Sequence, residues 1–164
     1  MGDQNCAILD WNVRGMNSRA RRGAVRDLIR DSKSTIVCLQ ETMMQQIDCQ
    51  IVAEVIGPEF QHSFVALPAD GTRGGVLLAV QLDHFQIASS VCSTNAITAR
   101  IQSTHSSCSW WIIVVYGPQT ESDKMNFLQE LRQLSCISGD EWLVIGDFNL
   151  IVSAEDKSND NINQ

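Results

Sequence analysis

Two polar residues follow the buried strand that the apolar run Trp142–Ile145 predicts. Gly146 comes next, and Asp147 and Asn149 then place a carboxylate and a carboxamide two residues apart. A buried carboxylate without a partner costs several kcal/mol, so a chain keeps one at a strand end where a partner or a ligand meets it. The segment therefore indicates a functional site, or a turn that Asp and Asn stabilise locally.

Three more polar groups share this position, at the end of a predicted strand or just after it. Asn12 follows AILDW, Glu41 follows IVCLQ and Tyr116 follows WWIIVV. Ligands and reacting groups gather at such strand ends in α/β proteins. Each residue alone also suits a solvated or packed side chain, but all of them converge if their strands are neighbours.

The chemistry that suits this set is cleavage of a phosphate ester. Mg²⁺ prefers one or two carboxylates and keeps several waters, and Glu41 can supply one oxygen ligand. Such an ion polarises a phosphoryl oxygen and offsets charge on the leaving group. Asp147 can orient or activate the attacking water, while Asn149 and Asn12 hold that water or the phosphate. The hydroxyl of Tyr116 can donate to a phosphate oxygen in the transition state.

Other mechanisms have less support in the sequence. His62, His84 and His105 lie far along the chain from these motifs, and a histidine without a neighbouring ligand or nucleophile indicates no site. The chain contains no G-x-S-x-G, Walker lysine or H-E-x-x-H motif. The glycine pair in TRGGVLL (72–78) predicts a turn or bulge at the start of a strand.

The composition predicts one globular domain. The chain has 164 residues, of which 44% are hydrophobic and 19% charged, enough to bury a core. It contains no apolar run long enough to span a membrane, and its first residues do not have the pattern of a signal peptide. Its six cysteines form no Cys-x-x-Cys pair, so we expect a reduced intracellular protein.

The net charge of −7 disfavours contact with nucleic acid unless a metal ion supplies positive charge locally. One basic cluster stands out against this acidic background, and its members are Arg14, Arg19, Arg21, Arg22 and Arg26. The clustering alone favours a solvated helix entrance over a nucleic-acid surface.

The apolar periodicity predicts the order β-α-β-α, then several strands, then α-β. The predicted strands are 7–13, 34–41, 62–67, 75–80, 85–91, 96–102, 110–116 and 142–148. One helix begins at Ser18, with Ala24, Val25, Leu28 and Ile29 as its apolar stripe. Ile47, Ile51, Val52 and Val55 have the spacing of a second helix, which stops at Gly57-Pro58. A third helix follows Gly117-Pro118, with Phe127, Leu128, Leu131 and Leu134 on one face. This order predicts packed sheets covered by helices.

Five motifs occur in the chain in a familiar order and spacing: WNVRG (11–15), CLQET (38–42), GTRGGVLLA (71–79), VVYGP (114–118) and IGDFN (145–149). Together they resemble the endonuclease/exonuclease/phosphatase superfamily. The greatest likeness is to the endonuclease domain of plant non-LTR (LINE-type) retrotransposon polyproteins. The resemblance implies a four-layer α/β sandwich, in which two packed mixed β-sheets are flanked by helices. It also implies nicking of DNA that depends on Mg²⁺ or Mn²⁺.

The resemblance also implies roles for individual residues. Glu41 would be the metal ligand, and Asn12 a metal-proximal or phosphate-orienting residue. Tyr116 would contact the phosphate, and Asp147 with Asn149 would position the nucleophile. Arg14 departs from the broader family, some of whose members carry an acidic residue at that position.

The family's closing Ser-Asp-His motif has no counterpart after Asn149, and none of the three histidines replaces it by position. We therefore expect a C-terminally truncated domain at 1–152, with a polar tail at 153–164. A missing general acid or base costs about 10²–10⁴-fold in rate, so we expect a weakly active or inactive fragment. The substrate would be DNA, in the nucleus, with no membrane and no specific protein partner. A phosphatase for a small phosphorylated substrate and a non-catalytic remnant remain alternatives.

Overall fold

Two four-stranded sheets pack face to face in the computed structural model, which describes residues 6–138 and 141–151. The first sheet has the order β1-β2-β4-β3, with strands β1 (Ile8–Asn12), β2 (Ile36–Gln40), β3 (Phe64–Leu67) and β4 (Val76–Val80). The second has the order β5-β6-β7-β8, with strands β5 (Phe85–Cys92), β6 (Ala96–Ser103), β7 (Ser109–Tyr116) and β8 (Trp142–Asp147).

Both sheets are mixed. Strand β1 pairs parallel with β2, and β7 pairs parallel with β8, whereas the other pairs are antiparallel. Each parallel pair is joined through a helix, as a parallel crossover requires. Each predicted strand is found within a few residues of its expected bounds.

Within the part of the chain that the structure describes, three α-helices cover the outer faces of the sheets. Helix α1 spans Arg19–Ser32, α2 spans Cys49–Val55, and α3 spans Glu121–Ser138. The predicted cap is confirmed, because the Ser18 side chain accepts a hydrogen bond from the backbone N–H of Arg21. Helices α1 and α2 lie on the first sheet and α3 lies on the second. The arrangement confirms the predicted four-layer α/β sandwich.

The core consists of three layers of apolar contacts. Ile36 and Cys38 of β2 face the second sheet, while Val37 and Leu39 of the same strand face α1 and α2. All five residues of β2 are buried, which confirms the prediction of a strand covered on both sides. Phe127 and Leu134 attach α3 to the outer face of the second sheet.

Ile47, predicted on the second helix, precedes the start of α2. Of the residues predicted on apolar helix stripes, Ala24 is exposed, and two leucines lie at the edges of their stripes. Leu28 is 40% exposed and Leu128 is 39% exposed, because each sits beside the residues that point directly at the sheet. No helix among the described residues is long and apolar enough to cross a membrane. The predicted tail, 153–164, lies outside the described residues.

Candidate active site

The parallel pairs bring four strand ends to one end of the sandwich. In the first sheet Asn12 is in register with Gln40, the residue before Glu41. In the second, Tyr116 is in register with Asp147. Strands β1 and β8 contact each other across the sheets. The residues that the sequence placed at separate strand ends therefore meet where the two sheets face each other.

Asn12 and Asp147 make the direct link between the sheets. The Nδ2 atom of Asn12 donates to Oδ2 of Asp147 at 2.7 Å, and Oδ1 of Asn12 accepts from the backbone N–H of Arg14 at 3.1 Å. The other oxygen of Asp147 accepts from the backbone N–H of Asn149 at 3.0 Å. Two donors thus fix the orientation of the Asp147 carboxylate.

Asn149 fastens the end of β8 to the loop after β7. Its Nδ2 atom donates to the backbone carbonyl of Gly117 at 2.7 Å, and the N–H of Gly117 donates to the carbonyl of Asp147 at 2.7 Å. A Cβ at position 117 would lie 2.0 Å from the carbonyl oxygen of Phe148, so only glycine allows this approach. Part of the hydrogen-bonding capacity of Asn149 is therefore used in holding the two loops together.

Glu41 lies in a tight environment formed by the glycine pair of the loop before β4. A Cβ on Gly74 would lie 2.9 Å from both Cα and Cγ of Glu41, and 3.1 Å from Cε1 of Tyr116. The carbonyls of Gly74 and Gly75 accept from the N–H groups of Met43 and Thr42. The glycine pair, predicted only as a turn or bulge, therefore also lets β4 approach the segment that carries Glu41.

Four non-glycine residues at this end of the sandwich have left-handed backbone: Arg14, Glu41, Met43 and Asn149, with φ between 49° and 56°. Asparagine tolerates this conformation, whereas it is uncommon for the other three types. Such strain persists where the surrounding structure enforces it, and it is enriched at functional sites.

Tyr116 is buried, 4% exposed, with its hydroxyl beside Glu41. Burial raises the pKa of the phenol most, and the negative charge of Glu41 raises it further. The hydroxyl accepts a hydrogen bond from Nε2 of Gln119 at 3.3 Å, which lowers the pKa, and the charge of Asp147 raises it. The phenol therefore stays protonated at neutral pH and can donate its proton in a hydrogen bond.

Asp10 lies beside the candidate site, and the sequence interpretation missed it. The residue is exposed, but partial burial of its carboxyl raises the carboxyl pKa. The hydrogen bond from Nε2 of Gln40, at 2.6 Å, lowers that pKa, and the charge of Asp147 raises it. Asp10 precedes Asn12 by two residues on β1, so both side chains point to the same face. This spacing is the signal that could have found it.

The donors present suit a hard divalent cation that keeps most of its waters. Within the described ranges, no three His, Cys, Asp or Glu side chains cluster as a metal cage. Mg²⁺ needs no such cage, because one or two carboxylates and water complete its octahedral shell. Glu41 offers a half-buried carboxylate, and the amide oxygen of Asn12 has a second lone pair beyond its bond to Arg14.

The three histidines lie at the opposite end of the sandwich. His84 and His105 flank the start of β5 and the end of β6, where their rings meet edge to face with centroids 6.2 Å apart. His62 precedes β3, whose first residue pairs with Ala79 near the far end of β4. The described part of the site therefore contains no histidine, as their sequence contexts predicted.

The arginine cluster divides into two groups. The Nε atom of Arg22 donates to the carbonyl of Met16 at 2.8 Å, and its Nη1 atom lies 3.4 Å from Glu54. Arg26 donates to the carbonyl of Glu54. These two arginines join α1 to α2, whereas Arg14, Arg19 and Arg21 are exposed at or before the start of α1.

A family model for the endonuclease/exonuclease/phosphatase family matches residues 11–164. The chain belongs to the endonuclease/exonuclease/phosphatase family. The match includes every predicted site residue, so the motif resemblance at family level is confirmed. No curated protein matches the chain significantly.

Solved structures of low sequence identity share this fold. The catalytic domain of human Nocturnin superposes with a TM-score of 0.66 at 16% identity, covering 89% of this chain and 64% of that one. TDP2 of D. rerio, complexed with a single-strand DNA product, gives 0.65 at 15% identity, with 89% and 61% covered. A mannosyl-6-phosphatase of Bacteroides thetaiotaomicron gives 0.65 at 10% identity, with 88% and 66% covered. The chain thus spans less than two thirds of the length of these family structures.

Proposed function

We propose that this chain is a metal-dependent phosphodiester hydrolase domain that acts on DNA. The observation that carries the proposal is the hydrogen-bonded series from Asn12 through Asp147 to Asn149, placed beside Glu41 and the protonated Tyr116. This set combines an oriented carboxylate, a cation ligand and a neutral donor, which are the groups that hydrolysis of a phosphate ester needs.

In the proposed mechanism, Glu41 and the amide oxygen of Asn12 would hold Mg²⁺ or Mn²⁺. When bound, such an ion would supply Lewis-acid stabilisation of charge on the phosphoryl oxygens. Asp147, held by its two donors, orients the attacking water and accepts its proton. As the water oxygen bonds to phosphorus, the P–O ester bond to the departing strand end breaks, and the leaving alkoxide takes a proton from solvent. Tyr116 donates to a nonbridging phosphate oxygen as charge develops, and the hydrogen bond from Gln119 directs the phenol toward it.

The DNA substrate and the retroelement origin are the finer parts of the proposal. The motif series WNVRG to IGDFN supports an origin in a plant LINE-type element. TDP2, complexed with a single-strand DNA product, supports a nucleic-acid substrate for this fold. Genomic DNA beside the coding region tests the origin: a neighbouring reverse-transcriptase reading frame supports it, and its absence contradicts it.

Cleavage of supercoiled plasmid by the purified chain with Mg²⁺ tests the activity. We expect slow nicking that EDTA stops and that Glu41→Gln or Asp147→Asn reduces by at least about 10²-fold. Asp27→Asn is the matched control, since Asp27 is an exposed helix residue paired with Arg30. Nicking that survives both site substitutions would contradict the proposal.

The alternatives predict different outcomes. A phosphatase would release phosphate from inositol phosphates faster than it nicks plasmid, as the mannosyl-6-phosphatase fold neighbour allows. A non-catalytic remnant would show neither reaction and no Mn²⁺ binding that depends on Glu41. A Mn²⁺ titration of wild type and Glu41→Gln therefore separates the remnant from both enzymes.

A further inference from the structure

A cleft of about 630 Å³ opens directly beside the proposed active site. Its walls are the loop before β4, the turn between β5 and β6, the loop after β7, and one face of α3. Small-molecule sites in proteins usually have about 300–1,000 Å³. The cleft is therefore large enough for a defined ligand or for part of a larger substrate.

Tyr116 and Gln119 connect the cleft to the site. Both residues line it, and the hydrogen bond from Gln119 to the Tyr116 hydroxyl lies at their boundary. A substrate whose phosphate meets Tyr116 therefore has its adjoining part at the mouth of this cleft.

The lining is unusually rich in carboxamide side chains, which are Asn95, Gln119, Asn126, Gln129 and Gln133. Asn126, Gln129 and Gln133 follow one another at three- and four-residue intervals, so they form a stripe along one face of α3. Each carboxamide both donates and accepts hydrogen bonds. Asparagine and glutamine are the side chains that pair with two edge atoms of a base at once.

The charges of the lining argue against a phosphate in the cleft. Arg73 is the only cation among the lining residues, against the carboxylates of Asp70, Asp123 and Glu130. Glu130 is held in place by the N–H and the Nδ2 atom of Asn95, at 2.9 and 2.8 Å. A neutral ligand with mixed donors and acceptors fits this lining better than an anion.

Arg73 adds an incompletely satisfied donor and a flat surface. Its Nη1 atom donates to the carbonyl of Thr94 at 3.1 Å, and its Nη2 atom lies 3.7 Å from Asp70. Its Nε atom is buried and has no hydrogen-bond partner within the described structure. A guanidinium plane fixed in this way can stack on a base.

We propose that the cleft binds a nucleobase of the DNA strand, adjoining the phosphate at Tyr116. The inference rests on the proposed function, whose substrate it specifies in more detail. A carboxamide of the α3 stripe pairs with the edge of the base, and Arg73 lies against its face. Reading of one base next to the scissile bond follows, so cleavage positions depend on the identity of that base.

Equilibrium binding of the full chain to short single-stranded DNA tests the inference. The probes are a fluorescent oligonucleotide and a set of copies, each with one base removed to leave an abasic sugar. We expect removal at one position to weaken binding by about 10-fold, and removal elsewhere to matter less. In the double variant Asn126→Ala/Gln133→Ala, removal of that base should no longer weaken binding; this weakening is called the penalty below. Gln50→Ala, an exposed carboxamide on α2, is the matched control and should keep it.

The outcomes separate this inference from the proposed function. Equal affinity for every abasic probe, or a penalty that persists in the double variant, overturns the base site. So does the absence of binding to any of the probes. Plasmid nicking that depends on Glu41 can still occur in each of these cases. Conversely, a lost penalty in the double variant without any nicking supports the base site and contradicts the catalytic proposal. Circular dichroism of each variant verifies that it is folded.

Discussion

Asn12 and Asp147 are 135 residues apart in the sequence, yet Nδ2 of one lies 2.7 Å from Oδ2 of the other. Asn12 ends β1 of the first sheet, and Asp147 ends β8 of the second. Their hydrogen bond therefore links the two sheets at the end where the proposed chemistry occurs. Because the same carboxylate also accepts from Asn149, its orientation depends on both sheets being in place.

Replacing Asn12 with alanine should lower kcat by about 10²-fold with a smaller effect on KM. The substitution removes one of the two donors to Asp147 and also a proposed ligand of the metal ion. Displacement of a catalytic carboxylate by about 1 Å alone lowers the rate by a factor of this size. Kinetics of Mg²⁺-dependent cleavage measure it. Gln86→Ala, a surface carboxamide on β5, serves as control. A variant that changes KM alone would contradict a role for Asn12 in positioning Asp147.

Gly74→Ala should both destabilise the protein and abolish cleavage. Its Cβ would lie 2.9 Å from the backbone Cα of Glu41, which cannot move aside as a flexible side chain would, so we expect a loss of about 1–3 kcal/mol. Gly23→Ala is the matched control, because nothing lies within 4 Å of its Cβ position. In the helix interior it should stabilise by about 0.5–1 kcal/mol. Urea unfolding and cleavage assays measure both variants.

Tyr116 is the single tyrosine of the chain, so the ultraviolet absorbance of tyrosinate reports its titration directly. Burial and the charge of Glu41 raise its pKa, so the folded protein should titrate above the ordinary value of about 10. Glu41→Gln should lower the midpoint by removing that charge, and Gln119→Ala should raise it by removing a donor. A midpoint unchanged in Glu41→Gln would contradict the proximity of the two groups.

The same shift makes stability depend on pH in a defined direction. A folded-state pKa above the unfolded value means that the folded chain holds more protons in that interval. Stability is therefore full below the ordinary tyrosine pKa and falls as pH rises through the folded value. Tyr116→Phe should show a weaker decline at alkaline pH.

Asp10→Asn should stabilise the protein at neutral pH. Burial raises the pKa of Asp10, and the charge of Asp147 raises it further. The stability that protonated Asp10 contributes is therefore full below the ordinary aspartate pKa and is lost as pH rises through the folded-state pKa. The asparagine side chain carries no charge, so it avoids the cost of ionising at this position, and its oxygen can still accept a hydrogen bond from Gln40. Thermal unfolding at neutral and acidic pH measures it: the gain over wild type should shrink on acidification. A gain of equal size at both pH values would exclude ionisation as its cause.

The sequence alone determined the elements of the fold and the candidate residues. Period-two and period-3.6 patterns are local, so the strands, the Ser18 cap and the apolar faces of the helices follow from short windows. The motif order indicated the family, because WNVRG and IGDFN keep their types and spacing. Asn12, Glu41, Tyr116 and Asp147 were predicted as candidates for the same reason, as polar residues where apolar runs end.

Only the tertiary structure decided how these residues meet. The contact of β1 with β8 joins segments far apart in sequence, and it depends on the packing of two whole sheets, which no short window encodes. Asp10 lies beside the candidate site only through close approach in space. For the same reason, Gly74 leaves the room that Glu41 needs. Arg22 likewise pairs with Glu54 of α2, whereas its neighbour Arg21 is exposed to solvent. Residue types and their spacing can be taken from short stretches of sequence, whereas contacts between distant residues depend on how the whole chain packs.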